Sequence, residues 1–223
     1  MIASALPPPL TEQAEDIERV WNVFLVGAAI ASAFVAMLVV IILVRFRRRG
    51  DRLPRQVREN IPFEIAYTII PLLIVIGLFV ITFVSVRAVD AEAESDDAVD
   101  LVVDVTAFRW QWRFEYPASG IVVEGTADGV PELVLPASST VRFRMTSTDV
   151  IHSFWIPGFR YKRDLFPEAV STVDVDITNR TGAWPRGGVC SEFCGLDHHK
   201  MYFDLRIVSP EEFERWVAEA VAP

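Results

Sequence analysis

The residues most able to do chemistry in this sequence lie in one short stretch, residues 187–201. It contains both cysteines of the chain, Cys190 and Cys194, together with His198 and Met201. Thiolate and thioether sulfur are soft ligands that select copper(I), zinc or iron–sulfur chemistry over calcium or magnesium. The stretch therefore predicts a site for a soft metal ion.

Three kinds of site are compatible with these residues. In an oxidising compartment Cys190 and Cys194 could form a disulfide, although a bridge that closes so short a loop adds little stability. A structural zinc site would add His198 and the distant His152, and it would leave Met201 unused. A blue-copper site needs only one cysteine, whereas two copper ions that share the sulfurs would use all five side chains. The ligand chemistry favours copper and leaves zinc and a disulfide open.

Two long uncharged segments indicate that the chain is anchored in a membrane. Residues 20–44 exceed the roughly 20 apolar residues that a helix needs to cross a hydrocarbon core of ~30 Å, and residues 65–86 form a second such segment. We expect a transmembrane hairpin over residues 20–86, with a loop at 45–64. The preceding tail, residues 1–19, lacks the pattern of a cleavable signal peptide.

Arginine is concentrated between the two predicted spans, which indicates their orientation. The positive-inside rule places such a loop in the cytoplasm, so both termini are expected on the outer, periplasmic or extracellular, side. The scarcity of lysine in this arginine-rich chain favours a bacterial plasma membrane over a mitochondrial inner membrane. The loop arginines are Arg45, Arg47, Arg48, Arg49, Arg52, Arg55 and Arg58.

From residue 87 onward the pattern changes from helical to strand-like. Several short segments with alternating polarity predict a β-sandwich or barrel on the outer side, at residues 87–223. Ser209 and Glu212 form a capping box with Pro210 at the first helical position, which predicts a final helix to about Val221. The predicted strands lie at 99–105, 132–135, 141–145, 173–177 and 202–208.

The charge of the chain restricts its partners. The formal net charge is −9, which argues against nucleic acid and allows a cationic protein partner. The outer segment is the acidic part, and two of its carboxylates, Glu115 and Asp149, are candidates for steering such a partner.

The soft-ligand stretch resembles a known metal-binding loop. Its pattern is Cys190-x-x-x-Cys194-x-x-x-His198-x-x-Met201, and a His-Ser-Phe-x-x-Pro segment begins at His152. This is similar to the dinuclear copper-A loop of cytochrome c oxidase subunit II, and the resemblance covers nearly the whole chain. It implies a membrane-anchored all-β protein, in which a two-helix hairpin precedes a cupredoxin-like β-barrel with a C-terminal helix.

The resemblance also implies a ligand set for two copper ions. It further implies that the Glu192 carboxylate points to a Mg²⁺ or Mn²⁺ ion at the boundary with subunit I, and a carboxylate is a suitable hard ligand for such an ion. His199 is not expected to be a ligand. The implied copper ligands are the bridging thiolates of Cys190 and Cys194, the imidazoles of His152 and His198, the thioether of Met201 and the backbone carbonyl of Glu192.

Two further roles follow from the resemblance. Residues 108–116 are similar to an aromatic segment of the family whose first tryptophan, here Trp110, lies at the surface above the copper and receives the electron. Glu64 begins the segment EIAYTIIP, which is similar to Glu-x-x-Trp-Thr-x-x-Pro, whose glutamate lies at the mouth of a proton channel shared with subunit I. An interfacial glutamate that anchors the helix end is an equal interpretation of Glu64.

The resemblance implies the electron-accepting subunit of a haem–copper terminal oxidase. Such a subunit takes electrons from cytochrome c at copper-A and passes them to haem in subunit I, where oxygen is reduced. Its partners are subunit I, other oxidase subunits, cytochrome c and the lipid membrane. Two alternatives remain open, a copper-A subunit of a membrane nitric oxide reductase and a membrane-anchored copper carrier.

Overall fold

The computed structural model describes residues 6–47, 50, 57–126 and 129–222. The chain folds into two compact units, one formed by residues 17–87 and the other by the residues up to Asp16 together with those from Ala88 onward. Four arginines of the predicted cytoplasmic loop lie outside the described residues, and they are Arg48, Arg49, Arg52 and Arg55.

Two long apolar helices account for both uncharged segments. Helix α1 covers Glu12–Arg45 and helix α2 covers Ile61–Val89, with Pro71 inside α2. Both contain windows of high mean hydropathy, 2.8 and 2.9, and no residue in these windows is buried within the protein. With 34 and 29 residues and a rise of about 1.5 Å per residue, each helix is long enough to cross a bilayer.

The second unit is a sandwich of two five-stranded sheets, with strand orders β3-β2-β1-β5-β8 and β4-β10-β9-β6-β7. Neighbouring strands are antiparallel except for the parallel pairs β1–β5 and β4–β10. The strands are β1 (Leu101–Phe108), β2 (Gln111–Tyr116), β3 (Ile121–Glu124), β4 (Glu132–Pro136), β5 (Thr140–Ser147), β6 (His152–Ile156), β7 (Tyr161–Leu165), β8 (Ser171–Asp176), β9 (Gly182–Cys190) and β10 (Tyr202–Val208).

The sandwich is filled by an aromatic cluster. Phe154 and Phe203 stack with their ring centroids 5.1 Å apart, and Trp112 meets both rings edge-on at 5.8 and 5.4 Å. Such pairs contribute beyond the apolar area that they bury. Phe154 lies on β6, and Phe203 lies on β10, the strand that follows the soft-ligand loop, so the cluster connects the strands on either side of β9.

The segment before the first helix is part of the sandwich. Leu10 is only 3% exposed, and its backbone bonds Gly158 and Thr178 at 2.9 and 3.0 Å. Gln13 exchanges two hydrogen bonds with Asp176, at 2.9 and 3.0 Å. A Cβ at Gly158 would lie 2.6 Å from the Leu10 side chain, so only glycine allows this close packing. We call residues 7–14 the N-terminal strap.

The acidic segment after helix α2 is fastened to the first sheet by arginine. Arg142 makes two hydrogen bonds of 2.8 Å to Asp174, and both residues are 5% exposed. The same guanidinium donates to Asp96 at 2.9 Å and to the carbonyl of Ala93 at 2.7 Å. A buried charge of this kind is tolerated only because each of its donor groups is paired.

The last helix, α3 (Pro210–Val221), confirms the predicted final helix, its serine cap and its proline at the first position. The Ser209 hydroxyl accepts a hydrogen bond from the backbone N–H of Glu212 at 3.3 Å. Trp216 packs edge-on against Tyr116 with ring centroids 5.1 Å apart, so the apolar face of α3 covers the end of the sandwich.

Candidate metal centre

Three adjacent strands bring the predicted ligands together. His152 is the first residue of β6 and Cys190 is the last of β9, and these strands pair with Phe154 opposite Cys190. The backbone N–H of Cys190 donates to the carbonyl of Met201 at 2.9 Å, which closes the base of the loop between β9 and β10. The ends of β6, β9 and β10 therefore meet at one point of the second sheet.

All six predicted donor atoms lie in this cluster. Sγ of Cys190 is 3.9 Å from Sγ of Cys194, 3.8 Å from Nδ1 of His152 and 3.2 Å from the carbonyl oxygen of Glu192. Sγ of Cys194 is 3.5 Å from Nδ1 of His198 and 3.7 Å from Sδ of Met201.

The cluster has the chemistry and the seclusion of a soft-metal site. The two sulfurs are 3.9 Å apart, far beyond the roughly 2.05 Å of a disulfide, so both thiols are available as ligands. His152, both cysteines and Met201 are buried, and His198 is half-buried. Among the described residues, the group of His152, Cys190 and Cys194 is the one set of three or more such side chains with metal-binding spacing. The donor set fits copper, because zinc makes little use of a thioether.

The two thiols are not equivalent. Burial opposes ionisation of Cys190, but its hydrogen bonds with His152, His198 and the backbone of Ser153 and Glu192 together outweigh burial and lower the pKa of this thiol. Burial raises the pKa of Cys194, and a charge on Cys190 raises it further. Since the thiolate is the form that binds a metal, metal binding at these cysteines is expected to release protons.

The side chains of Glu192 and His199 point away from the cluster. The carbonyl of Glu192 lies beside Cys190, whereas its side chain is exposed. His199 is also exposed and contributes no atom to the donor set. The peptide of Glu192 is thus in position to bind a metal ion, and its carboxylate is directed outward.

Trp110 is joined to the ligand loop. Its indole Nε1 donates to the carbonyl of Cys194 at 3.2 Å, and the ring is half-buried against the sandwich core. A Cβ at Gly195 would lie 3.3 Å from the indole, and the backbone of Gly195 has φ +118°. The sequence placed Trp110 near the metal but gave no sign of this hydrogen bond.

Known proteins are similar to this chain in sequence and in fold. A family model described as "Cytochrome C oxidase subunit II, periplasmic domain" matches residues 101–208, and the corresponding transmembrane-domain model matches residues 3–87. A probable cytochrome c oxidase subunit 2 of Streptomyces avermitilis is 32% identical, over 94% of this chain and 76% of its own.

This chain belongs to the cytochrome c oxidase subunit II family.

Two further relatives extend the comparison. Cytochrome c oxidase subunit 2 of Mycobacterium tuberculosis is 29% identical, over 96% of this chain and 74% of its own. The crystal structure of the periplasmic domain of subunit II (CoxB) of Bradyrhizobium japonicum superposes with a TM-score of 0.50 at 30% identity, covering 55% of this chain and 94% of that one. These matches confirm the cupredoxin-like fold and a membrane protein with two spans. Subunit II is part of the haem–copper oxidase complex, an oxidoreductase.

Asp149 has a different environment in this subunit from the one expected at an exposed rim. Its Oδ1 lies 2.8 Å from Nε2 of His152, and its Oδ2 accepts from the backbone N–H of Arg109 at 2.8 Å. Burial raises the pKa of Asp149, but the bonds with His152, Val150 and Arg109 outweigh burial and lower it to about 2. The Asp149 carboxylate is thus bonded to its neighbours, and its part in steering a partner stays a prediction.

Glu64 lies at the first turn of helix α2. Its Oε1 accepts a hydrogen bond from the backbone N–H of Asn60 at 3.0 Å, and Asn60 Oδ1 accepts from Phe63 at 3.4 Å. These bonds satisfy donors that would otherwise have no partner at the helix start, which is the anchoring role considered for Glu64. Its role at a proton channel stays a prediction.

Proposed function

We propose that this subunit receives electrons from a cytochrome c at a dinuclear copper-A centre and delivers them to haem in subunit I. The observation that carries the proposal is the convergence of two thiols, two imidazoles, a thioether and a carbonyl at the ends of β6, β9 and β10. A bound copper pair would supply a centre that takes up and releases one electron at a time.

The ligands divide between rigid strands and one closed loop. His152 and Cys190 are strand residues. The next inward residue of β6, Phe154, packs in the aromatic core, and the next inward residue of β9, Gly188, lies against the ring of Phe203. Such ligands keep their positions when the charge of the site changes, which lowers the reorganisation that electron transfer requires. Their burial also excludes water from the thiolates.

Trp110 is the residue that we assign to electron acceptance. Its ring is partly exposed at one edge, and its Nε1 is bonded to the peptide carbonyl of Cys194. The path from the indole ring to the proposed thiolate ligand therefore consists of this hydrogen bond and the covalent bonds within Cys194.

The exposed carboxylate of Glu192 is assigned to a Mg²⁺ or Mn²⁺ ion shared with subunit I.

Both termini are assigned to the outer side of a bacterial plasma membrane. The N-terminal strap and the residues after helix α2 belong to one compact unit, so they must lie on the same side of the bilayer. Two spans satisfy this condition in either orientation. The arginine-rich loop between them selects the orientation in which the loop is cytoplasmic. The bacterial origin of the relatives described above supports the same assignment.

The two alternative functions gain no support. The relatives described above are oxidase subunits, which leaves nothing in favour of a nitric oxide reductase. A copper carrier needs an exposed, exchangeable site, whereas His152 is completely buried here and its ring lies 6.5 Å from that of Trp112.

Copper analysis and electron paramagnetic resonance on the full-length chain test the proposal. We expect two copper ions that share one unpaired electron, and we expect loss of this signal in Cys194→Ser. The variant Ser191→Ala is a matched control, because it changes a neighbouring loop residue outside the donor set. A single zinc ion, or isolated copper with its electron localised, would overturn the dinuclear assignment.

A further inference from the structure

Asp149 occupies the meeting point of the segments that surround the metal centre. Its Oδ1 lies 2.8 Å from Nε2 of His152 and accepts from the backbone N–H of Val150 at 2.6 Å. Its Oδ2 accepts from the backbone N–H and Nε of Arg109, at 2.8 and 3.2 Å. These four N–H groups hold the carboxylate in place, and the Asp149 side chain is only 19% exposed.

This carboxylate determines which nitrogen of His152 can bind a metal. An ionised carboxylate only accepts hydrogen bonds, so Nε2 of His152 must carry the proton. In the neutral imidazole the lone pair is then on Nδ1, which is the nitrogen that lies 3.8 Å from Sγ of Cys190. Because the His152 side chain is 0% exposed, water has no access to compete for either nitrogen.

The same carboxylate is connected to the tryptophan beside the centre. Arg109, which gives Asp149 two hydrogen bonds, immediately precedes Trp110. Trp110 in turn donates to the carbonyl of Cys194 at 3.2 Å. The Asp149 side chain is therefore bonded both to the buried His152 and to Arg109, in the turn between β1 and β2 that carries Trp110.

We propose that Asp149 is a positioning residue that presents Nδ1 of His152 to the metal and keeps Trp110 in contact with the Cys194 loop. The inference deepens the proposed function and rests on it for the identity of the metal. A carboxylate bonded to a ligand imidazole raises the basicity of that ligand. The negative charge of the Asp149 carboxylate favours the oxidised, more positive state of the centre, and it therefore lowers the reduction potential of the centre.

Nitrogen-15 NMR of the metal-free, full-length chain tests the positioning without copper. The chain has only three histidines, which makes assignment practicable. We expect the Nε2–H tautomer at His152 in the parent protein, a shift toward Nδ1–H or a mixture in Asp149→Ala, and rescue in Asp149→Asn, whose amide oxygen still accepts. The matched control is Asp90→Ala, which removes an aspartate that is 48% exposed. An unchanged tautomer in Asp149→Ala would overturn the proposal.

Measurements on the copper-loaded oxidase test the consequence for the centre. Asp149→Ala should weaken copper binding by about 10- to 100-fold. Asp149→Asn should retain copper and raise the reduction potential, because it keeps the hydrogen bond and removes the charge. Equal potentials in Asp149→Asn and the parent would contradict the electrostatic part. If the parent binds no copper but shows the expected tautomer, the proposed function fails while the assignment at His152 stands.

Discussion

Gly195 sets how closely Trp110 can approach the metal loop. Its φ of +118° is a conformation that side-chain-bearing residues rarely adopt, and a Cβ would lie 3.3 Å from the indole. Glycine is therefore required at this position both by the backbone conformation and by the neighbouring indole. A side chain here would disturb the hydrogen bond between Trp110 and the carbonyl of Cys194.

Replacement of Gly195 by alanine should slow electron acceptance without removing the ligands. We expect the indole to shift and its hydrogen bond to weaken, with backbone strain on the order of 1–3 kcal/mol. The measurement is the rate of reduction by cytochrome c together with copper content. Gly120→Ala is the control, because Gly120 also has positive φ but nothing within 4 Å of a new Cβ. A normal rate in Gly195→Ala would remove Trp110 from the electron path.

The cluster of soft donors could be predicted from residue types, spacing and the resemblance to a known loop, whereas the bonds around it could not. Cys190, Cys194 and His198 are close in sequence, so their proximity follows from local chain geometry. The environment of Asp149 depends instead on Arg109, which is 40 residues away and reaches it only when the sheets form. An acidic residue three positions before a ligand histidine was the one available signal, and polarity alone suggested a surface role.

The secondary-structure elements show a similar limit. Strands β1, β5, β8 and β10 contain alternating apolar residues and β4 is a short apolar run, and each of the five overlaps a predicted segment. Strand β9 has a glycine- and proline-containing sequence with little alternation, and its pairing depends on β6 and β10. The N-terminal strap has no strand pattern, and it is held by partners as distant as 168 residues, between Leu10 and Thr178.

The N-terminal strap should contribute measurably to the stability of the sandwich. Leu10→Ala removes a side chain that is 3% exposed, which typically costs about 2–5 kcal/mol in a core. We expect a lower melting temperature and faster hydrogen exchange at the Thr178 amide, which donates to the carbonyl of Leu10 at 3.0 Å. Val170→Ala, at a residue that is 66% exposed, should leave both unchanged. If the Thr178 amide exchanged at the same rate in Leu10→Ala and in the parent protein, this role of the strap would be contradicted.

The buried ion pair behind the acidic segment should make the sandwich sensitive to acid. Burial raises the pKa of Asp174, but its bonds with Arg142 outweigh burial and hold the pKa below the usual value of about 3.9. A carboxyl with a lowered folded-state pKa adds stability above its unfolded pKa, and this stability is lost as the pH falls toward the folded value.

The variant Asp174→Asn separates this effect from general acid denaturation. It should lower stability at neutral pH, because Arg142 loses its buried counter-charge, and it should show a shallower fall in stability below about pH 4. Melting temperature as a function of pH is the measurement. Asp104→Asn is the control, since its side chain is 33% exposed and a smaller loss is expected. Parallel pH curves for Asp174→Asn and the parent protein would exclude this source of acid sensitivity.

At the scale of the whole molecule, the chain joins an acidic β-sandwich domain to a basic interhelix loop. From residue 87 onward it has 13 Lys and Arg against 23 Asp and Glu, whereas the segment between the spans is rich in arginine. The charges thus agree with the two-span arrangement in which loop and domain lie on opposite sides. Hydropathy and charge predict this arrangement from sequence, because both properties are sums over many residues and depend little on tertiary contacts.

Accessibility of introduced cysteines tests that arrangement directly. Val57→Cys adds a thiol to the loop at a residue that is 67% exposed, and Val221→Cys adds one near the end of helix α3 at a residue that is 56% exposed. A membrane-impermeant maleimide applied to intact cells should label Val221→Cys, and Val57→Cys only after the cells are opened. The parent chain is the control, because Cys190 and Cys194 are buried and should react slowly. Labelling of both variants from the outside would be incompatible with a cytoplasmic loop, and the outer assignment of the copper centre would then have to be abandoned.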